Sequence, residues 1–277
     1  MRSFDTKLPI DDALPRLVSA LQAGNAAVLV APPGAGKTTR VPLVLVDEPW
    51  AAGKKILVLE PRRIAARAAA ERMAATLHEK VGETVGLRVR FGSKVSNKTR
   101  IEVVTEGVFT RLIIDDPSLD GIAAVLFDEF HERSLDADLG LALARDAQQG
   151  LRDDLRILPM SATLDGRRFS SLMSDAPVIE SEGRSYPLAL RYLGRSGDGR
   201  IEDAMASAIR QALREAEGGV LAFLPGVAEI ERVAVALRHL LLEREDVRPR
   251  PPRQRRQRMP LAEANHLTRD GLRPFGR

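Results

Sequence analysis

The tightest constraint in this sequence is the nine-residue stretch Ala31-Pro-Pro-Gly-Ala-Gly-Lys-Thr-Thr39. The short apolar run Ala26-Ala-Val-Leu-Val30 precedes it, and the residues through Val46 follow with helical character. An apolar run of that length, bounded by breakers, reads as a buried strand. A strand, a glycine-bearing turn and a helix start present a row of free backbone N–H groups. Together with the helix dipole, those groups form a cradle for phosphate. The spacing, a small residue and then four residues before Gly-Lys-Thr, places Lys37 to reach outer phosphates and the Thr38 hydroxyl to ligate Mg²⁺. Ala31, Pro32, Pro33, Gly34, Ala35, Gly36, Lys37, Thr38 and Thr39 are therefore the candidate nucleotide site, with Ala31 where glycine is often found. A chance match in a Gly/Ala-rich loop is the alternative, and the elements on both sides disfavour it.

The same alternation continues along the chain. Apolar runs at 55–59, 85–90, 101–105, 123–127 and 155–158 read as strands. Segments 11–23, 62–78, 108–114, 135–147 and 166–173 carry helical spacing. Strands alternating with helices predict an α/β fold with a parallel sheet covered on both faces. Ligands of such sheets bind at the carboxyl ends of the strands. After about residue 184 the pattern is thinner, with strands expected at 188–193 and 219–224 and helices at 201–215 and 227–242.

Composition removes several classes. With no cysteine the chain has neither disulfides nor thiolate chemistry, which fits a reducing, cytoplasmic setting. No leader and no apolar segment of membrane-spanning length is evident, so no membrane partner is expected. The formal charge of +4 is unevenly spread. Of the 42 basic and 38 acidic residues, ten and four fall in 244–277, which leaves residues 1–243 at −2. The overall basicity is therefore poor evidence that the folded part binds nucleic acid. Residues 248–258, rich in Arg, Pro and Gln, have no apolar period, and 244–277 is expected to be a disordered basic tail.

Asp128-Glu-Phe-His131 closes the apolar run at 123–127. An acid at that point beside a phosphate loop can hold Mg²⁺, and a second carboxylate can orient an attacking water. Asp128 is assigned to the metal and Glu129 to the water. This box and the words around it resemble the superfamily 2 DEAH-box helicases, with Phe130 where alanine is usual. Leu59-Glu-Pro-Arg-Arg-Ile-Ala-Ala66 resembles motif Ia, Thr105-Glu-Gly107 motif Ib, Ser161-Ala-Thr163 motif III and Ala222-Phe-Leu-Pro-Gly226 motif IV. The segment from Val89-Arg-Phe91 to Thr99-Arg-Ile101 resembles the strand pair that comes next in such helicases. The resemblance runs from about residue 8 to 242.

The resemblance implies a RecA-like P-loop NTPase lobe over 1–183 and an incomplete second RecA-like lobe over 184–243. It implies ATP and Mg²⁺ as cofactors and a single strand as partner, RNA in preference to DNA. By match, Pro61, Arg62, Arg63, Thr105, Glu106 and Gly107 would grip the strand backbone. For Arg62 and Arg63 a solvated helix start is the alternative, but arginine opposes the dipole there. Ser161, Ala162 and Thr163 would couple the ATP state to that grip, with a helix cap at Thr163 the plainer alternative. His131 would contact this linker and complete the catalytic set with Asp128 and Glu129.

Two words of the family are missing. Neither a Thr-Asn-x-Ala-Glu-Thr-Ser word nor a Gln-x-x-Gly-Arg-x-Gly-Arg word occurs. The second supplies arginine fingers, worth roughly 10³–10⁵ in rate. The expectation is a helicase chain cut near Leu242 that binds nucleotide and turns it over poorly. The change of composition near Arg244 is what an out-of-frame reading of GC-rich DNA produces; a genuine RNA-holding arm is the competing account. An ATP- and RNA-binding module without effective hydrolysis is the second reading. A phosphate-loop kinase leaves the other motifs unexplained.

Overall fold

The computed structural model describes residues 2, 4–162, 170, 171, 173, 175–182, 188–194, 199–215 and 218–243. The chain divides into two compact units, Met1–Pro187 and Leu188–Arg277.

In the first unit, a short 3₁₀ turn at Pro9–Asp12 leads into α1 (Leu14–Ala23), which buries Leu14, Leu17, Val18 and Leu21 along one face. Then follow β1 (Val28–Val30), α2 (Lys37–Leu45), β2 (Lys55–Glu60), α3 (Arg63–Thr76), β3 (Val85–Val89), β4 (Gly92–Lys94), β5 (Ile101–Thr105), α4 (Glu106–Asp115), β6 (Ile122–Phe127), α5 (Leu135–Gly150), β7 (Arg156–Ser161) and β8 (Val178–Glu180). The eight strands form one sheet in the order β4-β3-β5-β2-β6-β7-β1-β8. Only the β3–β4 pair is antiparallel. The middles of the central strands, 56–59 in β2, 123–127 in β6 and 157–160 in β7, are apolar because both sheet faces are covered. One core cluster joins the sheet to residues of α1, α2 and α3, and the other joins it to residues of α4 and α5.

The register positions the site. β2, β6, β7 and β1 are successive neighbours, with Leu59 opposite Phe127, Phe127 opposite Pro159 and Val30 opposite Ser161. Their carboxyl ends carry Glu60, Asp128, Ser161 and the 31–39 loop along one edge. β5 lies on the other side of β2, with Thr105 opposite Glu60.

The short strands β4 and β8 were not legible as apolar runs. The helix expected at 166–173 falls largely outside the described residues, as does the tail from 244 onward.

In the second unit, α6 (Ile201–Glu215) and α7 (Val227–Glu243) pack together, burying Ala206 and Val233. Arg232 bonds Glu202 at 2.6 Å, and the Arg210 guanidinium donates to the Ala236 carbonyl at 3.0 Å. The strands expected at 188–193 and 219–224 do not form: no strand occurs among the described residues there. Leu190 is 97% and Phe223 81% exposed. A strand needs a neighbour to take its backbone hydrogen bonds, and neither segment pairs with one.

Candidate functional site

The loop at 31–39 is held on both flanks. The Ala31 N–H donates to the Ser161 carbonyl at 2.9 Å, continuing the β1–β7 ladder. The Ala35 N–H donates to the Pro32 carbonyl at 3.1 Å, and the Ala35 carbonyl accepts from the Ile10 N–H at 3.1 Å. Gly34 has φ +78° and Gly36 φ +100°, a left-handed backbone that glycine adopts without strain. At Gly36 a Cβ would also come within 2.6 Å of the Leu8 side chain. The loop thus turns tightly into the N-terminus of α2, where free N–H groups favour an anion.

Lys37 is 4% exposed, and a cation so placed needs a counter-charge. Glu129 supplies one, accepting from Lys37 Nζ at 2.7 Å. The Thr38 hydroxyl donates to Asp128 Oδ2. The other Asp128 oxygen accepts from the Glu129 N–H at 2.8 Å, and the Asp128 N–H donates to the Leu59 carbonyl at 3.0 Å. Burial pushes the Asp128 carboxyl upward, opposed by Lys37 and the Thr38 hydrogen bond. The hydroxyl of Thr38 and the carboxylate of Asp128 are the hard oxygen donors that Mg²⁺ takes alongside phosphate oxygens, and they already meet in this chain. The residues present therefore fit that ion.

Glu60 was overlooked in the sequence. It is 2% exposed at the end of β2. Burial, then the charge of Asp128 and a hydrogen bond with it, push its carboxyl up to about 9. The signal was the one used for Asp128: an acid closing a buried apolar strand.

His131 lies in the 3₁₀ turn Phe130–Glu132. Its Nδ1 accepts from the Ala162 N–H at 3.2 Å and lies 3.4 Å from Glu129 Oε2. One nitrogen cannot accept from Ala162 and donate to Glu129 at once, and the bond formed here is the one from Ala162. Ser161 is buried at the end of β7. Thr163 lies outside the described residues.

The six strand-gripping candidates follow two adjacent strands. Pro61, Arg62 and Arg63 come after β2 and lead into α3, while Thr105, Glu106 and Gly107 join β5 to α4. Arg62 Nη2 bonds Glu132 at 3.0 Å. Glu106 is engaged internally: the Ser134 hydroxyl donates to it at 2.5 Å, and Ser134 also caps α5 by accepting from the Ala137 N–H at 2.9 Å. Burial raises the Glu106 carboxyl, against the lowering effect of Ser134. The sequence reading missed Glu132 and Ser134, although a serine just before an apolar helical run is a capping signal.

The 31–39 loop thus lies beside the acidic box, and both are joined to the Ser161-Ala162 segment. The DEAD/DEAH box helicase family matches residues 13–172. The chain belongs to that family. It is 53% identical over 228 residues to the ATP-dependent RNA helicase HrpB of Escherichia coli, covering 82% of this chain and 28% of that protein. It is 32% identical over 248 residues to an ATP-dependent RNA helicase HrpA homolog of Haemophilus influenzae, covering 89% of this chain and 19% of that one. The crystal structure of the Escherichia coli DEAH/RHA helicase HrpB superposes with a TM-score of 0.78 at 53% identity, over 83% of this chain and 29% of that one. This helicase-family chain thus spans under a third of the length of these relatives. The match also establishes the RecA-like helicase fold expected from the motifs. No helix among the described residues is long and apolar enough to cross a membrane.

Proposed function

We propose that this chain binds ATP with Mg²⁺ in the 31–39 loop and a single strand, RNA in preference to DNA, along 61–63 and 105–107. The two sites would serve an ATP-dependent RNA helicase activity of the DEAH type. The observation that carries the reading is one cluster: Lys37 bonds Glu129, and His131, whose Nδ1 lies 3.4 Å from Glu129, accepts from the Ala162 N–H. A group that senses phosphate, a carboxylate suited to water and the coupling segment lie side by side in it. The names of the relatives favour RNA as the strand.

Each residue has a role in this reading. Lys37 exchanges Glu129 for the outer phosphates of ATP, which frees Glu129 to orient the attacking water. Thr38 and Asp128 would hold Mg²⁺, which neutralises charge on the transferred phosphoryl group. Glu60, kept neutral by burial, donates a hydrogen bond to Asp128 and fixes its direction. Arg62 and Arg63 contact backbone phosphates, a sequence-independent mode of binding. Residues 1–183 would form the ATP-binding lobe and 184–243 part of a second.

Taken by itself, the chain should turn ATP over slowly. No arginine-finger word occurs in its 277 residues, and such a finger is worth roughly 10³–10⁵ in rate. Steady-state ATP hydrolysis with and without single-stranded RNA tests this, alongside binding of a fluorescent ATP analogue. Binding with little turnover is expected. Strong RNA-stimulated turnover would overturn the slow-hydrolysis reading, and no ATP binding would overturn the whole assignment.

A further inference from the structure

The turn after the acidic box carries contacts that the proposed activity does not use. Phe130–Glu132 is flanked by two non-glycine residues in left-handed backbone, Glu129 at φ +49° and Arg133 at φ +50°. Such conformations persist only where the surroundings over-determine them. Phe130 is buried edge-on against Phe127 at 5.9 Å, and Phe127 sits edge-on against Phe109 of α4 at 5.7 Å. From this anchored turn four side chains reach outward. Glu129 goes to Lys37, His131 to Ala162, Glu132 to Arg62 and Ser134 to Glu106. Six residues thus touch the nucleotide loop, the coupling segment and both candidate strand-gripping segments.

The Glu132–Arg62 pair differs from the other three. It lies at the surface, with the Arg62 side chain 72% exposed and Glu132 37%. Arg62 occupies the N-cap position of α3 without a side-chain cap bond, at a helix end where the dipole favours an anion such as the Glu132 carboxylate nearby. Carboxylate and phosphate oxygens are interchangeable partners for a guanidinium.

We propose that Glu132 is an internal substitute for a nucleic-acid phosphate, holding Arg62 while no strand is bound. This rests on Arg62 being a strand contact, as proposed above. An incoming phosphate displaces Glu132 from Arg62, and the displaced carboxylate sits on the turn that also carries Glu129 and His131. Strand binding is thereby reported to the nucleotide site through three residues of backbone, in addition to the route through Ser161 and Ala162. Glu132 acts through Arg62 and is a positioning residue.

The test is a double-mutant cycle on the full chain without nucleotide, read by fluorescence anisotropy with a labelled oligouridine. Arg62→Ala weakens binding several-fold. Glu132→Gln, close in shape at an accessible position, tightens it by about 1.5- to 5-fold, the range set by an exposed ion pair. In the Arg62→Ala background Glu132→Gln has no effect, and Glu132→Asp, which retains the charge, stays nearer wild type than Glu132→Gln. If Arg62→Ala weakens binding while Glu132→Gln leaves it unchanged or weaker, the inference is wrong and the strand-contact reading stands. Equal tightening by Glu132→Gln in both backgrounds would mean a general charge effect and would also overturn it. If Arg62→Ala changes nothing, the strand-contact reading itself fails, and the inference with it.

Discussion

Two five-residue stretches of nearly the same character meet opposite fates in this chain. Ala123-Ala-Val-Leu-Phe127 lies in β6, between β2 and β7, and every one of its residues is buried. Val220-Leu-Ala-Phe-Leu224 forms no strand, and Leu221 and Phe223 are about four-fifths exposed, at 79% and 81%. Composition and β propensity barely separate them. What separates them is partners: β6 has a ladder on each side and helices over its faces, and 220–224 has no ladder. Strand propensity measures fit to a pleated, half-buried surface, so it has little to act on without that surface.

The largest expected effect is on this contrast itself. Phe127→Ala should cost about 3–5 kcal/mol, the range for emptying a packed aromatic site. Phe223→Ala should stay within about 0.5 kcal/mol, as for an exposed position. Denaturant unfolding followed by circular dichroism measures both. Equal losses would mean that 220–224 packs somewhere in solution and that the contrast is false.

The next effect belongs to the buried acids of the first unit. The fold raises the Glu60 carboxyl from its ordinary 4.5 to about 9. The folded chain then binds a proton that the unfolded chain has released, so this contribution is fully present below about pH 4.5 and is lost as pH rises toward 9. Stability at pH 8 should lie below that at pH 6, and Glu60→Gln should flatten the difference and stabilise at pH 8 by on the order of 2 kcal/mol. A pH dependence that survives Glu60→Gln would place its origin elsewhere. In the second unit Glu202 and Glu215 are shifted the other way, Glu202 downward by a backbone hydrogen bond and Arg232, and Glu215 by Gln211 and Arg191.

A smaller effect probes packing at the scale of one methyl. A Cβ at Gly140 would meet the Phe109 ring at 3.1 Å, whereas one at Gly219 would meet nothing within 4 Å. Gly140→Ala should destabilise by about 1–2 kcal/mol despite the helix propensity gained. Gly219→Ala should be close to neutral. Thermal melts of the two variants give the comparison, and a stabilised Gly140→Ala would show a looser interface between α4 and α5 than described.

The same contrast explains what could be read from sequence. The first unit was legible because its strands are long apolar runs bounded by breakers and its site residues close those runs. Asp128 and the 31–39 loop follow directly from that pattern. Glu60 carries the same signal, an acid closing a buried apolar strand. Glu132 and Ser134 were not legible as a pair, since their partners Arg62 and Glu106 lie far off in sequence and meet them only through sheet order. β4 is three exposed residues, and its pairing depends on β3, not on its own composition. At 188–193 and 219–224 the error ran the other way: propensity was present and the neighbours were not.

The central claim is that the 31–39 loop holds ATP through Lys37. Titration of a fluorescent ATP analogue with Mg²⁺ into the wild-type chain and into Lys37→Ala tests it most directly. Saturable binding by the wild type and a loss of about 10- to 100-fold in affinity for the variant are expected, the scale of a hydrogen bond to a charged group in a buried site. Binding of the analogue to Lys37→Ala at wild-type affinity would contradict the account.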